Sequence, residues 1–218
     1  MQLIIITGLS GSGKSIALRV LEDSGYYCID NLPATLLPQI SHHLDSVSQH
    51  KVAISIDSRS AALEALPNAV EMLKNSDISV ELLFLESSVE TLVKRFSETR
   101  RKHPLSDANT TLAESILHER ELLAGLVGFG HHIDTSNLSA NTLRSYIREL
   151  ILKTDESAKG NGLVLLFTSF GFKNGIPLDA DFVFDVRSLP NPHYDPILKP
   201  LTGKDAAVQV FLQREPNV

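Results

Sequence analysis

Three things are scarce in this 218-residue chain: thiols, long apolar runs and net positive charge. A single cysteine, Cys28, excludes an internal disulfide and any zinc site built on cysteines, although eight histidines are present. One unpaired thiol fits a reducing, cytoplasmic compartment. No apolar stretch approaches the roughly 18–20 residues that a spanning helix needs, so no membrane partner is expected. The first apolar run, residues 3–6, is too short for a secretory leader and no basic residue precedes it. With 20 basic against 26 acidic side chains, the net charge of -6 argues against indiscriminate coating of nucleic acid, so any RNA role has to rest on a local patch. Internal repeats, low-complexity tracts, a Gly-x-Ser-x-Gly elbow and a zincin helix are also missing. What remains is 43% hydrophobic and 21% charged, enough to bury a core and too apolar for general disorder.

Up to residue 153, short apolar runs alternate with longer stretches of helical period, the pattern of strands and helices in a parallel α/β sheet. Strands are expected over 2–7, 26–29, 52–57, 80–85 and 132–135, and helices over 14–24, 34–44, 61–75, 89–101, 112–126 and 140–153. Most of the strand runs place Ile, Val or Leu at successive positions, as strands covered on both faces require. Two helix ends are marked: Gly25 follows the first helix as a cap, and Thr111-x-x-Glu114 reads as a capping box. Residues 154–162, TDESAKGNG, are polar and glycine-containing, and divide a first domain, 1–153, from a second segment, 163–218. That segment opens on an apolar run at 163–167, alternates phenylalanine with polar residues around 181–186, and crowds proline and turn residues into 189–200. At about 56 residues it is marginal as an independent core. The fold expected is therefore an α/β P-loop domain, a parallel sheet flanked by helices, followed by a partial second α/β domain.

The sharpest motif is Gly8-Leu9-Ser10-Gly11-Ser12-Gly13-Lys14-Ser15, which matches G-x-x-x-x-G-K-S/T between an apolar strand and an amphipathic helix. Glycines let the backbone curl so that successive N–H groups face a phosphate chain, and the helix presents its positive end to the same anion. Lys14 then reaches the β and γ phosphates of ATP or GTP, and the Ser15 hydroxyl ligates Mg²⁺. Asp57 follows an apolar run at the carboxyl edge of the sheet, where it suits the Mg²⁺ shell; Asp30 and Glu86 stand near the same edge. Each of the three also fits a plain turn or helix-start carboxylate. Residues 94–103, KRFSETRRKH, are strongly basic, and Arg100 and Arg101 are placed to act as a phosphate lid; a solvated helix end and an RNA backbone contact are the competing readings. The paired histidines His42/His43 and His131/His132 point apart on either a helix or a strand and carry no metal site by themselves. Cys28 reads as a small buried hydrophobe.

Longer blocks add a resemblance. GLSGSGKSIALRVLEDSGYYCIDNLP, ISIDSR, LVKRFSETRRKHPL, HIDTS, SFGFKNGIPLDADFVFDVRSLPNPHYDP and LTGKD, in that order and across nearly the whole chain, resemble the bacterial RNase-adapter family of RapZ and its YvcJ-type relatives. The resemblance implies a nucleotide-binding regulator with weak ATP and GTP hydrolysis, Lys14, Ser15 and Asp57 carrying the chemistry. It implies a nucleotide site made of Gly8 to Ser15 together with Asp57, Ser58, Arg59 and Ser60. It further implies a homo-oligomeric adapter that presents a small regulatory RNA to an endoribonuclease and so controls glucosamine-6-phosphate synthesis, with a phosphosugar as signal. Asp185, Arg187, Asn191 and His193 are the anion or sugar contacts this suggests, and a structural turn fits them equally well. Family members continue for about another quarter of a chain into a basic RNA-binding tail that is absent here, so weak RNA binding by these 218 residues is expected. The bare motifs leave one other class open, a small-molecule kinase of the P-loop type.

Overall fold

The computed structural model describes all residues except 61–62, 76–77, 158–166, 168, 178–179 and 215–218. Five strands form one sheet: β1 (Gln2–Gly8), β2 (Tyr27–Ile29), β3 (Lys51–Ser55), β4 (Ser79–Glu86) and β5 (His131–Asp134). Their order is β2-β3-β1-β4-β5 and every pairing is parallel, with Ile5 opposite Ile54 on one side and Leu82 on the other. Each strand lies within two residues of its expected bounds.

The apolar run of β1 explains itself once the sheet has two covered faces. Leu3 and Ile5 face a core shared with Val52, Ile54, Leu82 and Phe84, onto which α2 (Leu37–Ser46), α3 (Leu66–Lys74) and α5 (Leu112–Leu123) pack. Ile4 and Ile6 face the opposite core, built with Ala53, Leu83 and Leu85 and closed by α1 (Lys14–Asp23) and α6 (Ala140–Ser157). Successive strand residues point to opposite faces, so an Ile-Ile-Ile run is what a doubly covered central strand demands.

Helix ends follow from local chemistry. Gly25 adopts φ 86 just past α1, its N–H donating to Glu22 O while Tyr26 N–H donates to Leu21 O, the paired bonds of a Schellman stop. At α5 the Thr111 hydroxyl accepts from Glu114 N and the Glu114 carboxylate accepts from Thr111 N, so the expected capping box is formed. The helices expected from 34 and 61 begin instead as 3₁₀ turns, Ala34–Leu36 and Leu63–Ala65, and α2 and α3 start only at Leu37 and Leu66. Pro38 and Pro67 are the reason, since proline fits the first helical turn but disfavours a helix arriving from upstream. Residues 61–62 of that second helix lie outside the described residues. Helix α6 runs through 154–157 before reaching them, because polar residues without Gly or Pro carry no stop signal. The remaining 158–162 of the expected linker, and 163–166 of the apolar run, lie outside the described residues. α4 (Val89–Thr99) completes the first unit's main helices.

The chain separates into compact units Met1–Asp179 and Ala180–Val218. The second holds a 3₁₀ turn, Pro192–Tyr194, and a helix, α7 (Ala206–Gln213). Its Phe182 and Phe184 are 83% and 79% exposed, and residues 181–186 enter no strand ladder among the described residues. No described helix is long and apolar enough to cross a membrane.

Candidate phosphate-binding site

After β1 the chain first builds the β2 and β3 side of the sheet and then crosses to β4, so the order reverses at β1. Ligands of open α/β sheets bind outside the carboxyl ends of strands at such a reversal, and the loop Gly8 to Ser15 occupies that point. Gly8 is dictated by packing: at φ 127 a Cβ would stand 2.0 Å from Leu85 O, the atom that also accepts from Leu9 N at 3.0 Å. α1 begins at Lys14 with no acidic residue in its first turn, so no carboxylate of its own offsets its positive end.

Lys14 is folded onto its own loop, Nζ donating to Gly8 O at 2.6 Å and to Leu9 O at 3.0 Å. Burial holds its pKa below the ordinary lysine value, opposed by the nearby carboxylates of Glu119, Asp57 and Asp30. Those carboxylates therefore share one electrostatic neighbourhood with the lysine. Ser15 is exposed at the helix start and Ser12 is buried within the loop.

Asp57 lies two residues past β3 and is 8% exposed. It is closely engaged: Oδ2 accepts from Arg59 Nη2 at 2.6 Å and Nε at 2.9 Å, and Oδ1 accepts from Arg59 N at 2.9 Å. The Asn31 amide, turned to donate, lies 3.1 Å from both oxygens. Of the neighbouring motif residues, Ser58 is buried, and Ser60 Oγ accepts from Ala34 N at 2.6 Å and secures the turn before α2. Asp30 is exposed. Glu86 is a structural partner at the end of β4, bonded to Arg120 at 3.0 Å and to His132 at 2.8 Å.

The basic segment reaches the loop through a residue that sequence reasoning passed over. Arg95 on α4 donates from Nη1 to Gly11 O at 3.0 Å and to Thr135 Oγ1 at 3.1 Å, and from Nη2 to Thr135 O at 2.6 Å. Thr135 Oγ1 in turn donates to Ser12 O at 2.8 Å, so the loop, α4 and the end of β5 are laced together. Arg100 takes a left-handed conformation at the C-cap of α4, and both it and Arg101 are exposed.

Glu119 is the other omission. This α5 residue is fully buried, and its carboxylate accepts from Ser10 N at 2.8 Å, Ser10 Oγ at 2.7 Å, Ser58 Oγ at 2.5 Å and His103 Nε2 at 3.1 Å. Its one signal in sequence is position, since Glu119 shares the inward stripe of α5 with Ile116 and Leu123. Cys28 is half-buried with Sγ 3.5 Å from Leu18 O, and burial pushes its thiol up to about 11.

In the second unit, Arg187 and Asp185 pair with each other at 2.6 Å, and the guanidinium hydrogen bond holds the Asp185 carboxyl down to about 2. Asn191 and His193 line a cavity of about 200 Å³ with Lys199 and Thr202, while the Asn191 carboxamide oxygen also caps the turn by accepting from His193 N at 3.0 Å.

Residues 1–156 match the family model of the RapZ-like N-terminal domain, and 163–218 match that of the RapZ C-terminal domain. A relative from Methylobacillus flagellatus called "Nucleotide-binding protein" is 63% identical over the whole chain, which spans 76% of that relative. One of the same name from Chromobacterium violaceum is 60% identical over 97% of this chain and 74% of its own length. Among solved structures, shikimate kinase from Acinetobacter baumannii in complex with shikimate covers 70% of this chain and 93% of its own at 18% identity and a TM-score of 0.48, a likeness too slight to argue from. On the two domain models and the near relatives, the chain belongs to the RapZ family.

Proposed function

We propose that this chain binds ATP or GTP with Mg²⁺ at Gly8 to Ser15, hydrolyses it slowly, and works as the nucleotide-responsive part of a regulatory RNA adapter. The observation that carries the reading is the loop itself: a glycine-shaped turn at the sheet's reversal point, a helix start without its own counter-charge, and Lys14 within it. Family membership and relatives named for nucleotide binding support it. Within the loop, backbone N–H groups face the phosphates and the Lys14 ammonium leaves the Gly8 and Leu9 carbonyls to meet the β and γ oxygens. Ser15 and Asp57 offer the hard oxygens that Mg²⁺ prefers, and the Arg59 guanidinium now fills the cation position on Asp57. Among the described residues no group of three or more His, Cys, Asp or Glu side chains is placed to hold a metal ion, and Ser15 and Asp57 would be this chain's own ligands to the ion. When bound, it neutralises charge developing on the transferred phosphoryl group.

Slow turnover follows from the carboxylates. Glu119 and Asp57 are both occupied by internal donors, which leaves neither poised to orient a water for in-line attack. The adapter role, presenting a small regulatory RNA to an endoribonuclease in response to a phosphosugar and as a cytoplasmic homo-oligomer, is carried by the family resemblance. Asn191 and His193, lining the cavity of the second unit, are where such a sugar phosphate is proposed to bind. Incubation with γ-labelled ATP and GTP, Mg²⁺ and a metabolite mixture tests the reading against a kinase. Slow release of inorganic phosphate independent of the mixture is expected; label moving to a metabolite acceptor contradicts it.

A further inference from the structure

Glu119 sits where it can decide which nucleotide the loop prefers. Ser10 is the third residue of the loop, five positions before Ser15, and so lies toward the end remote from α1. If the inner phosphates rest at the helix start, the terminal phosphate comes to the Ser10 end. Loop N–H groups of such a site turn toward phosphate, yet Ser10 N–H donates to Glu119 Oε2 at 2.8 Å. The same carboxylate takes Ser10 Oγ, Ser58 Oγ and His103 Nε2. Those bonds fill the roughly four acceptor positions of a carboxylate. Saturation also argues against a role as general base, which needs a free lone pair toward the water.

Two effects then act in one direction. A donor suited to the outermost phosphate is withheld, and a buried carboxylate stands against the Ser10 end of the loop, where it would repel a further phosphate. Both bear on a third phosphate more than on a second. We propose that Glu119 is a specificity-determining residue of the phosphate site, disfavouring nucleoside triphosphate relative to diphosphate by holding Ser10 N–H and by its buried charge. The inference rests on the nucleotide binding proposed above.

Isothermal titration of the full chain with Mg·ATP and Mg·ADP tests it, comparing wild type with Glu119→Gln and Glu119→Asp, each verified as folded by circular dichroism. In Glu119→Gln, which removes the charge and one acceptor oxygen, the ratio of the ADP to the ATP dissociation constant rises about tenfold, the size of one charge-assisted hydrogen bond regained by phosphate. Glu119→Asp keeps the charge but withdraws it by one methylene, and raises the ratio by about threefold. A ratio that stays at the wild-type value or falls in a folded variant overturns the proposal and leaves nucleotide binding standing. Should Glu119→Gln not fold, Glu119→Asp decides by the same criterion. Failure of wild type to bind either nucleotide overturns the reading beneath it instead.

Discussion

Gly8→Ala would strike the junction between the central strand and the phosphate loop. At φ 127 an alanine is strained whatever surrounds it, and its Cβ would stand 2.0 Å from Leu85 O, 2.7 Å from Leu85 N and 2.8 Å from Leu85 C. All three are backbone atoms of β4, so the strands must part by about an ångström at the rung where Gly8 pairs with Leu85. Left-handed strain costs roughly 1–3 kcal/mol and overpacking about the same again, less about 0.5–1 kcal/mol from the stiffer unfolded chain. The net loss is about 3 kcal/mol, a large share of the roughly 5–15 kcal/mol that holds a typical domain together. Gly25→Ala is the matched control: its φ is 86 but nothing lies within 4 Å of the added carbon, so it bears the strain without the clash. Urea denaturation followed by circular dichroism, with the thermal midpoint alongside, reads both. Gly8→Ala should melt about 6–12 °C below wild type and Gly25→Ala only a few degrees below. Equal losses from the two substitutions would refute the reasoning, because the close approach of β4 would then contribute nothing.

Other consequences follow from single contacts. Removing Arg95 leaves the carbonyls of Gly11 and Thr135 without their guanidinium partner, so Arg95→Ala should lower stability by about 1–3 kcal/mol in urea titration. Arg95→Lys should recover less than half of it, since a point ammonium cannot span both carbonyls as the planar fork does; full recovery would contradict the lacing role. Cys28, its thiol raised to about 11, should react with a maleimide at pH 8 about tenfold more slowly than a model thiol, the scarcer thiolate being partly offset by its greater nucleophilicity. The unfolded thiol ionises before the folded one, so the Cys28 contribution to stability is present below the ordinary thiol value of 9.0 and fades as pH climbs toward about 11. A Cys28→Ser variant, which lacks that ionisation, should lose stability less steeply across this window; identical slopes would contradict the raised thiol.

Periodicity made the sheet legible. The Leu3 to Ile6 run could only be a strand covered on both sides, and the glycine-lysine motif after it lies at the carboxyl end of that strand, where the sheet order reverses. Helix starts were less readable at 34 and 61, where the apolar pattern runs ahead of Pro38 and Pro67 and the structure substitutes a 3₁₀ turn. The motif marked the loop proposed to meet phosphate but not what grips that loop. Arg95 and Glu119 sit in helices whose charged residues look like ordinary solvated ones, and what matters about them arises across the fold: Arg95 meets Thr135 40 residues away and Glu119 meets Ser10 109 residues away. Arg100 and Arg101 drew attention by charge density, yet α4 ends before them and the backbone turns left-handed, so density alone did not say which arginine would reach the loop.

Nucleotide binding at Lys14 is the central claim, and equilibrium titration of Mg·ATP and Mg·GTP into wild type and Lys14→Ala tests it most directly. The proposed function moves the Lys14 ammonium from the Gly8 and Leu9 carbonyls to the β and γ phosphates, so wild type should bind at least one nucleotide and the folded variant should lose about a hundredfold or more in affinity. Unchanged affinity in Lys14→Ala, or no binding by wild type, would contradict the account.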